Sequence, residues 1–299
     1  MQLFMKMVSL QLIYRKPMFL FNTQNELVSY LNSVSNKETT IGFVPTMGAL
    51  HKGHLSLLEE SIKNNSVNVI SIFVNPTQFN NAEDLVKYPK TLDEDIEKIK
   101  SISEDIIVFA PSVDNIYEGK TVSQQFDFDG LENQMEGKFR PGHFDGVGTI
   151  VKRLFEIVKP TNAYFGEKDF QQLLIVKKMV EKAKMSVNVI GCPIHRESNG
   201  LAMSSRNERL SAAERKEAAI IYKTIQESKM LFETKSAKEI TEFVTEKFSD
   251  HPKFELEYFQ IADEETLLPC VRKSKSKKYR AFIAVFVNKI RLIDTISLN

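Results

Sequence analysis

The segment TIGFVPTMGALHKGH, residues 40–54, predicts a strand, a tight turn and the start of a helix. Residues 40–45 predict a short buried strand that ends at a proline. From His54 onward, apolar residues at positions 55, 58 and 62 have the spacing of an amphipathic helix. A β-branched run at 67–74 then predicts a second buried strand. Strand, helix and strand within about 35 residues make one βαβ unit.

The same alternation continues to about residue 192. Further strands are predicted at 105–110, 163–165 and 187–190, and further helices from 91, at 147–158 and at 169–184. Thr91 and Glu94 have the spacing of a capping box at the start of the first of these helices. This order predicts an α/β fold built on a doubly wound, Rossmann-like parallel sheet.

After residue 192 the pattern is different. Ser211 and Glu214 form a second predicted capping box, which opens a helix that runs to about 233. Another helix is predicted at 236–248, followed by strand-like segments at 255–261, 281–287 and 291–296. We therefore expect a Rossmann-like domain over 18–192 and a smaller C-terminal α+β domain over 193–299.

Composition excludes several classes of protein. The 299 residues carry 40 basic and 39 acidic side chains, so no charge excess favours nucleic acid or an anionic membrane as partner. The two cysteines are far apart and form no disulfide framework, which fits the cytoplasm. Residues 1–17 are apolar, but their charges interrupt or follow the apolar run instead of preceding it as in a signal peptide. We expect a poorly ordered extension there.

The turn after the first strand carries the chemistry. Ligands of open α/β sheets bind at the carboxyl ends of the strands, and Gly48 and Gly53 allow close backbone approach there. The N–H groups that begin the next helix suit a phosphate. His51 and His54 share a helical face and can donate hydrogen bonds to it. A metal pair, which needs a third ligand, and two purely structural histidines remain the alternatives.

Three other polar segments lie after predicted strands or near the domain junction. They are NPTQF (75–79), GEKDFQQ (166–172) and GLAMSSRN (200–207). Lys168 can neutralise a phosphate as a point charge. There is no P-loop and no G-x-G-x-x-G after the first strand, so those two kinds of nucleotide site are excluded.

With these segments the chain resembles the pantoate–β-alanine ligase (pantothenate synthetase) family of the HxGH nucleotidylyltransferases. The resemblance runs from about residue 18 to 294 and rests on five motifs in order. They are VPTMGALHKGH (44–54), SIFVNPTQF (71–79), EGKFRPGHFDGV (136–147), FGEKDFQQ (165–172) and GLAMSSRN (200–207). The resemblance implies a cytoplasmic, carbon–nitrogen ligase of coenzyme A biosynthesis. Such an enzyme condenses pantoate with β-alanine through a pantoyl adenylate and releases AMP and pyrophosphate.

The resemblance also implies roles for individual residues. The catalytic residues would be His54 as proton donor, His51 as its partner, Lys168 and Arg206. ATP would be held by Met47, Gly48, Ala49, Leu50, His51, Lys52, Gly53, His54, Gly166, Glu167, Lys168, Asp169, His195, Met203, Ser204, Ser205 and Arg206. Pantoate and β-alanine would be bound by Gln78, Gln172 and Asn75. ATP chemistry implies Mg²⁺, with Asp95 at the position of a metal ligand. A homodimer and a C-terminal domain that closes as a lid are further expectations.

The chain departs from the family pattern at two places, and two other functions compete with a ligase. Residues 1–17 have no counterpart, and Thr77 stands where methionine is common, which we expect to change the polarity of the pocket. One competitor is an HxGH transferase that joins a nucleotide to a phosphate ester; the neutral amides of Gln78 and Gln172 suit a hydroxy acid better. The other is a catalytically silent nucleotide-binding module, which would have no need of His51, His54, Lys168 and Arg206 together.

Overall fold

The computed structural model describes residues 19–80 and 82–299. The extension predicted for residues 1–17 lies outside the described residues. The strands are β1 (Leu20–Phe21), β2 (Ile41–Thr46), β3 (Val67–Ile72), β4 (Ile107–Phe109), β5 (Asn162–Gly166), β6 (Asn188–Cys192), β7 (Phe254–Asp263), β8 (Tyr279–Val287) and β9 (Ile290–Ser297). The helices are α1 (Gln24–Val34), α2 (Lys52–Asn64), α3 (Ala82–Lys87), α4 (Leu92–Lys100), α5 (Val113–Tyr117), α6 (Met135–Phe139), α7 (His143–Val158), α8 (Phe170–Lys182), α9 (Ala212–Glu217), α10 (Ala219–Leu231) and α11 (Ala237–Ser249).

The first six strands form one parallel sheet in the order β1-β4-β3-β2-β5-β6. From β2 the chain adds β3 and β4 on one side of β2, and it then crosses over to add β5 and β6 on the other. The strand order therefore reverses between β2 and β5. In open α/β sheets, ligands bind at the carboxyl ends of the strands beside such a reversal.

Helices cover both faces of this sheet, as the sequence predicts. Successive residues of one strand point to opposite faces, so Phe43 and Val69 pack in a core with α1, α7 and α8. Their neighbours Val44 and Ile70 pack in a second core with α2 and α4. Strands that are buried on both faces are rich in apolar residues, which accounts for the apolar residues at 41–45 of β2. The doubly wound α/β prediction is confirmed.

A smaller antiparallel sheet, in the order β7-β8-β9, follows the parallel one. Helices α10 and α11 cover it through residues such as Ile225 and Val244, which share a core with Ile283. Its other face contributes Phe282 to the core of the parallel sheet, so the two layers pack on one another. The last parallel strand ends at Cys192. The exact division into 18–192 and 193–299 stays a prediction.

Several local predictions need correction. The capping box predicted at Thr91 is absent, because Thr91 has a ψ of 46° and its hydroxyl donates to Asp95 instead of accepting a backbone N–H. The capping box at Ser211 is present. The helix predicted from there to 233 is interrupted at Ala218 and consists of α9 and α10. β1 and α1 were not predicted at all.

Within 19–80 and 82–299, the helices are all too short or too polar to cross a membrane.

Candidate active site

The turn between β2 and α2 has an unusual backbone that a neighbouring carboxylate holds in place. Gly48 and Ala49 both have left-handed backbone angles, with φ of 82° and 49°. A Cβ on Gly48 would lie 3.0 Å from Ile72 and 3.2 Å from Asp95, so only glycine fits there. The Asp95 carboxylate accepts the N–H groups of Ala49 at 2.9 Å and of Leu50 at 2.7 Å. Asp95, which lies on helix α4, therefore holds the backbone of this turn in place.

His51 and His54 use one ring nitrogen each to begin helix α2. The Nδ1 atom of His51 accepts the N–H of Gly53 at 3.1 Å, and the Nδ1 atom of His54 accepts the N–H of His51 at 3.4 Å. The two rings stack with their centroids 4.0 Å apart. A neutral imidazole that accepts at Nδ1 carries its proton at Nε2. Each ring therefore keeps one N–H donor that is not used by the cap.

Both imidazoles are neutral at physiological pH. Burial lowers the pKa of His51 to about 2, and the neighbouring His54 and Lys168 add to the effect. Burial also lowers the pKa of His54 to about 4, helped by the charges of Lys168 and Lys98. A neutral imidazole donates a hydrogen bond without first binding a proton. The pair is thus suited to donate to phosphate oxygens.

One cleft at the carboxyl ends of β2 and β5 brings most of the predicted residues together. Those that line it are Met47, His51, Gly53, His54, Asn75, Gln78, Gly166, Lys168, Asp169, Gln172, His195, Met203, Ser204, Ser205 and Arg206. The other predicted ATP contacts, Gly48, Ala49, Leu50, Lys52 and Glu167, do not line it. Leu50 is buried in the core, and Glu167 forms an ion pair with Arg280 at 3.3 Å.

Lys168 brings a positive charge to the histidine side of the cleft. It follows β5, in the motif that begins at Gly166, and its side chain is mostly buried. The ammonium lies 3.5 Å from Asp169 and close enough to both histidines to lower their pKa values. Because β5 is the neighbour of β2, the order of the sheet places Lys168 opposite the turn at 47–54.

The loop of Ser204 to Arg206 already contacts the parallel-sheet unit. The Ser205 hydroxyl donates to the carbonyl of Ala49 at 3.0 Å. The Arg206 guanidinium donates to Asp84 on α3 at 2.7 Å, and Arg209 pairs with the same carboxylate. In this conformation the Ser205 hydroxyl and one terminal nitrogen of Arg206 bond to protein groups, and both residues still line the cleft.

Of the three amide side chains predicted to bind substrate, the two glutamines are open to the cleft and Asn75 is almost fully buried. Gln172 and Gln78 both line the cleft, and Gln78 donates to the sulfur of Met47 at 2.7 Å. Asn75 is 1% exposed, and its amide is engaged by Tyr117, Gly146 and Gln78. Its geometry therefore fits the support of Gln78 better than contact with a substrate.

Thr77 does not change the polarity of the pocket, contrary to expectation. It is not among the residues that line the cleft. Its hydroxyl lies 3.0 Å from the Tyr117 hydroxyl and 3.2 Å from Asn75.

Arg140 and His143 line the cleft but were not assigned from the sequence. The carbonyl of Gln78 lies 2.8 Å from the His143 ring and 3.3 Å from the Arg140 guanidinium. Burial and the charge of Arg140 lower the pKa of His143 to about 3. The sequence offered a signal for them, since the motif at 136–147 contains His143, one of only five histidines in the chain, three residues after Arg140.

Asp95 does not fit the role of a metal ligand. Its side chain is fully buried, and both carboxylate oxygens accept backbone N–H groups. Across the part of the chain that the structure describes, no group of three His, Cys, Asp or Glu side chains could hold a metal ion. The alternative of a metal pair at His51 and His54 lacks its third ligand for the same reason.

Comparison with known proteins identifies the family. The model of the pantoate–β-alanine ligase family matches residues 19–297. The pantothenate synthetase of Flavobacterium psychrophilum is 65% identical over 281 residues, which cover 94% of this chain and all of that protein. The enzyme of Christiangramia forsetii is 52% identical over 94% of this chain and its own full length.

Solved structures agree with the sequence comparison. The crystal structure of pantothenate synthetase from Thermus thermophilus has a TM-score of 0.85 and 39% identity, and covers 94% of this chain and 99% of that one. The ligase from Francisella tularensis, complexed with β,γ-ATP and β-alanine, has a TM-score of 0.77 and 34% identity over 94% of this chain and 98% of its own. The cleft thus belongs to a ligase, and the chain is a member of the pantoate–β-alanine ligase (pantothenate synthetase) family.

Proposed function

We propose that this ligase forms pantothenate in two steps through a pantoyl adenylate. In the first step a carboxylate oxygen of pantoate bonds to the α-phosphorus of ATP, and the bond to pyrophosphate breaks. In the second step the amine of β-alanine attacks the acyl carbon. The acyl–phosphate bond then breaks, AMP leaves, and the amine loses a proton.

The observation that carries this proposal is the presence of two kinds of polar group in one cleft. The histidine pair and Lys168 provide donors and positive charge, as a triphosphate requires. Gln78 and Gln172 provide neutral amides, which suit the hydroxyl and carboxylate of a hydroxy acid. Holding both substrates in one cleft replaces a bimolecular encounter by an oriented one, an effect worth up to several kcal/mol.

His51 and His54 act as neutral donors at their Nε2 atoms. As the first step proceeds, negative charge builds on the phosphate oxygens, and fixed donors stabilise that charge without reorganisation. The Lys168 ammonium contributes a full positive charge at the same place. Because the histidine rings are fixed by their Nδ1 bonds to the backbone, their Nε2 donors are oriented before ATP binds.

The Ser204–Arg206 loop is the part of the site that moves. The mixed anhydride needs protection from water, and this loop lies at the junction of the two sheet units. Arg206 lines the cleft, and one of its terminal nitrogens forms an ion pair with Asp84. We propose that the triphosphate takes the place of the Asp84 carboxylate in this contact.

In this scheme Mg²⁺ is present only as an ion that binds together with ATP. The buried, backbone-bonded carboxylate of Asp95 does not fit a resident metal, so we derive no step through one. Residence in the cytoplasm and assembly as a homodimer stay predictions of the family resemblance, and sedimentation analysis of the purified chain tests the second.

Replacing Gln172 with leucine tests the assignment of the substrates. Loss of hydrogen bonds to a charged substrate group costs about 1.5–3 kcal/mol, so the KM for pantoate should rise roughly 10- to 150-fold. The dissociation constant of ATP, measured by calorimetry, should stay within about twofold. The exposed Gln226 provides a matched control, since its change to leucine should alter neither constant. If ATP binding weakened while pantoate use survived, the assignment would be wrong.

A further inference from the structure

The Gln78 amide has two different ends, and the structure fixes which one faces the cleft. Its Oε1 atom accepts a hydrogen bond from Asn75 Nδ2 at 3.3 Å. Its Nε2 atom donates to the sulfur of Met47, which is partly exposed in the cleft, whereas Asn75 is 1% exposed. A thioether is a weak acceptor, so a substrate oxygen readily takes its place. Gln78 is therefore held as a donor toward the ligand.

The orientation of the Asn75 amide is set by hydrogen bonds to Tyr117 and Gly146. Its Oδ1 atom accepts the hydroxyl of Tyr117 at 2.6 Å, while its Nδ2 atom donates to the carbonyl of Gly146 at 3.1 Å. If the Asn75 amide were flipped, its oxygen would face two acceptors, the Gly146 carbonyl and Gln78 Oε1. Asn75 is 1% and Tyr117 is 2% exposed, so water does not replace these bonds.

We propose that Tyr117 is a positioning residue for pantoate, acting through Asn75 on Gln78. This inference rests on the proposed function of the cleft. Tyr117 does not line the cleft, and it acts by keeping the Asn75 amide in the one orientation that holds Gln78 Oε1 inward. The Gln78 N–H then meets an oxygen of the hydroxy acid. Without the phenol hydroxyl, Asn75 Oδ1 keeps only the longer bonds from Thr77, at 3.2 Å from its hydroxyl and 3.4 Å from its N–H. Asn75 then holds Gln78 less firmly, and pantoate meets a less well oriented donor.

Two further observations support this chain of hydrogen bonds from Tyr117 through Asn75 to Gln78, which we call the relay. Burial raises the pKa of the Tyr117 hydroxyl, so the proton that it donates to Asn75 is retained. Thr77, behind the cleft, lies 3.2 Å from the same Asn75 oxygen and 3.0 Å from the Tyr117 hydroxyl. Its hydroxyl is a second, longer donor, and we expect it to support Tyr117 without replacing it.

The experiment compares Tyr117→Phe with Thr77→Val in steady-state kinetics. Tyr117→Phe keeps the ring and its contact with Arg153, so the fold is preserved. We expect the KM for pantoate to rise roughly 5- to 20-fold, since one hydrogen bond is lost. The value of kcat and the dissociation constant of ATP should stay within about twofold. Thr77→Val, which leaves the bond between Tyr117 and Asn75 in place, should change the KM for pantoate less than about threefold.

The same comparison in a Gln78→Leu background separates the relay from a general loss of stability. If Tyr117 acts through Gln78, Tyr117→Phe should add nothing to the KM for pantoate in that background. An equal rise in both backgrounds would overturn the relay, as would a lower melting temperature with an unchanged KM. If Gln78→Leu alone left the KM for pantoate unchanged, the proposed substrate site would fail at Gln78 itself. The relay would then fall with it.

Discussion

In the proposed mechanism, His51 and His54 serve both the structure and the chemistry. One nitrogen of each ring caps the first turn of α2, and the other is left as a donor for the ligand. Because the cap fixes the ring and burial keeps it neutral, the orientation and the protonation state of each donor are both set by the fold.

His54→Ala removes one of these donors, and we expect adenylation to slow roughly 100- to 1000-fold. The variant should also lose about 1 kcal/mol of stability, because it breaks the capping box. His54→Gln is the matched control, since glutamine at this helix position can still accept the backbone N–H. It should regain the stability but not the rate. Near-normal turnover of the alanine variant would remove His54 from the mechanism.

The buried histidines also predict how stability changes with pH. The ordinary pKa of 6.5 applies in the unfolded chain, whereas burial lowers it to about 2, 4 and 3 at His51, His54 and His143. The unfolded chain therefore binds more protons below pH 6.5, and acid favours unfolding. Each histidine contributes up to about 1.4 kcal/mol per pH unit below that point.

Urea unfolding at pH 7 and pH 5.5 measures this effect. The free energy of unfolding should be about 1–4 kcal/mol lower at pH 5.5. His54→Gln, which removes one of the three groups, should show a smaller difference. Equal stability at the two pH values would show that the rings bind protons in the folded protein as readily as in the unfolded chain.

At the scale of elements, the β2–α2 turn depends on α4, a helix that is remote in sequence. Asp95→Asn tests this dependence. The amide retains only one of the two acceptors for the N–H groups of Ala49 and Leu50, so we expect a loss of about 1–3 kcal/mol of stability and a higher KM for ATP. The Mg²⁺ concentration that gives half-maximal activity should not change. A marked rise in that concentration would instead make Asp95 a metal ligand.

Helices and strands with strong apolar periodicity were predictable from the sequence, and so was the HxGH turn. The β-branched run of β3 and the apolar stripe of α7 leave few other structures open. Roles that depend on contacts between distant segments were not predictable. The family resemblance implied that Asp95 is a metal ligand, and nothing near it in the sequence shows that its oxygens accept the N–H groups of Ala49 and Leu50.

At the scale of the whole molecule, a buried ion pair joins the two sheet units. The Arg291 guanidinium of β9 makes two hydrogen bonds, at 2.8 and 2.7 Å, to the Glu136 carboxylate of α6. Tyr258 donates to the same carboxylate at 2.8 Å. Although burial alone would raise the pKa of Glu136, the Arg291 charge and hydrogen bonds bring it down to about 2.

Arg291→Met would leave the Glu136 carboxylate buried without its main partner. We expect a loss of about 3–5 kcal/mol in the free energy of unfolding, measured with urea. The control is Lys238→Met, because its pair with Glu242 is exposed and should contribute less than about 1 kcal/mol. Equal effects of the two variants would mean that the buried pair does not hold the sheet units together.

In the proposed mechanism an acyl adenylate forms before the amine is needed. Exchange of labelled pyrophosphate into ATP, in the presence of pantoate and the absence of β-alanine, tests this order of steps. Because the first step is reversible and releases pyrophosphate, we expect exchange that depends on pantoate and is suppressed in Lys168→Ala. Exchange that strictly required β-alanine would rule the mechanism out, since the acyl transfer would then proceed without a separate adenylate.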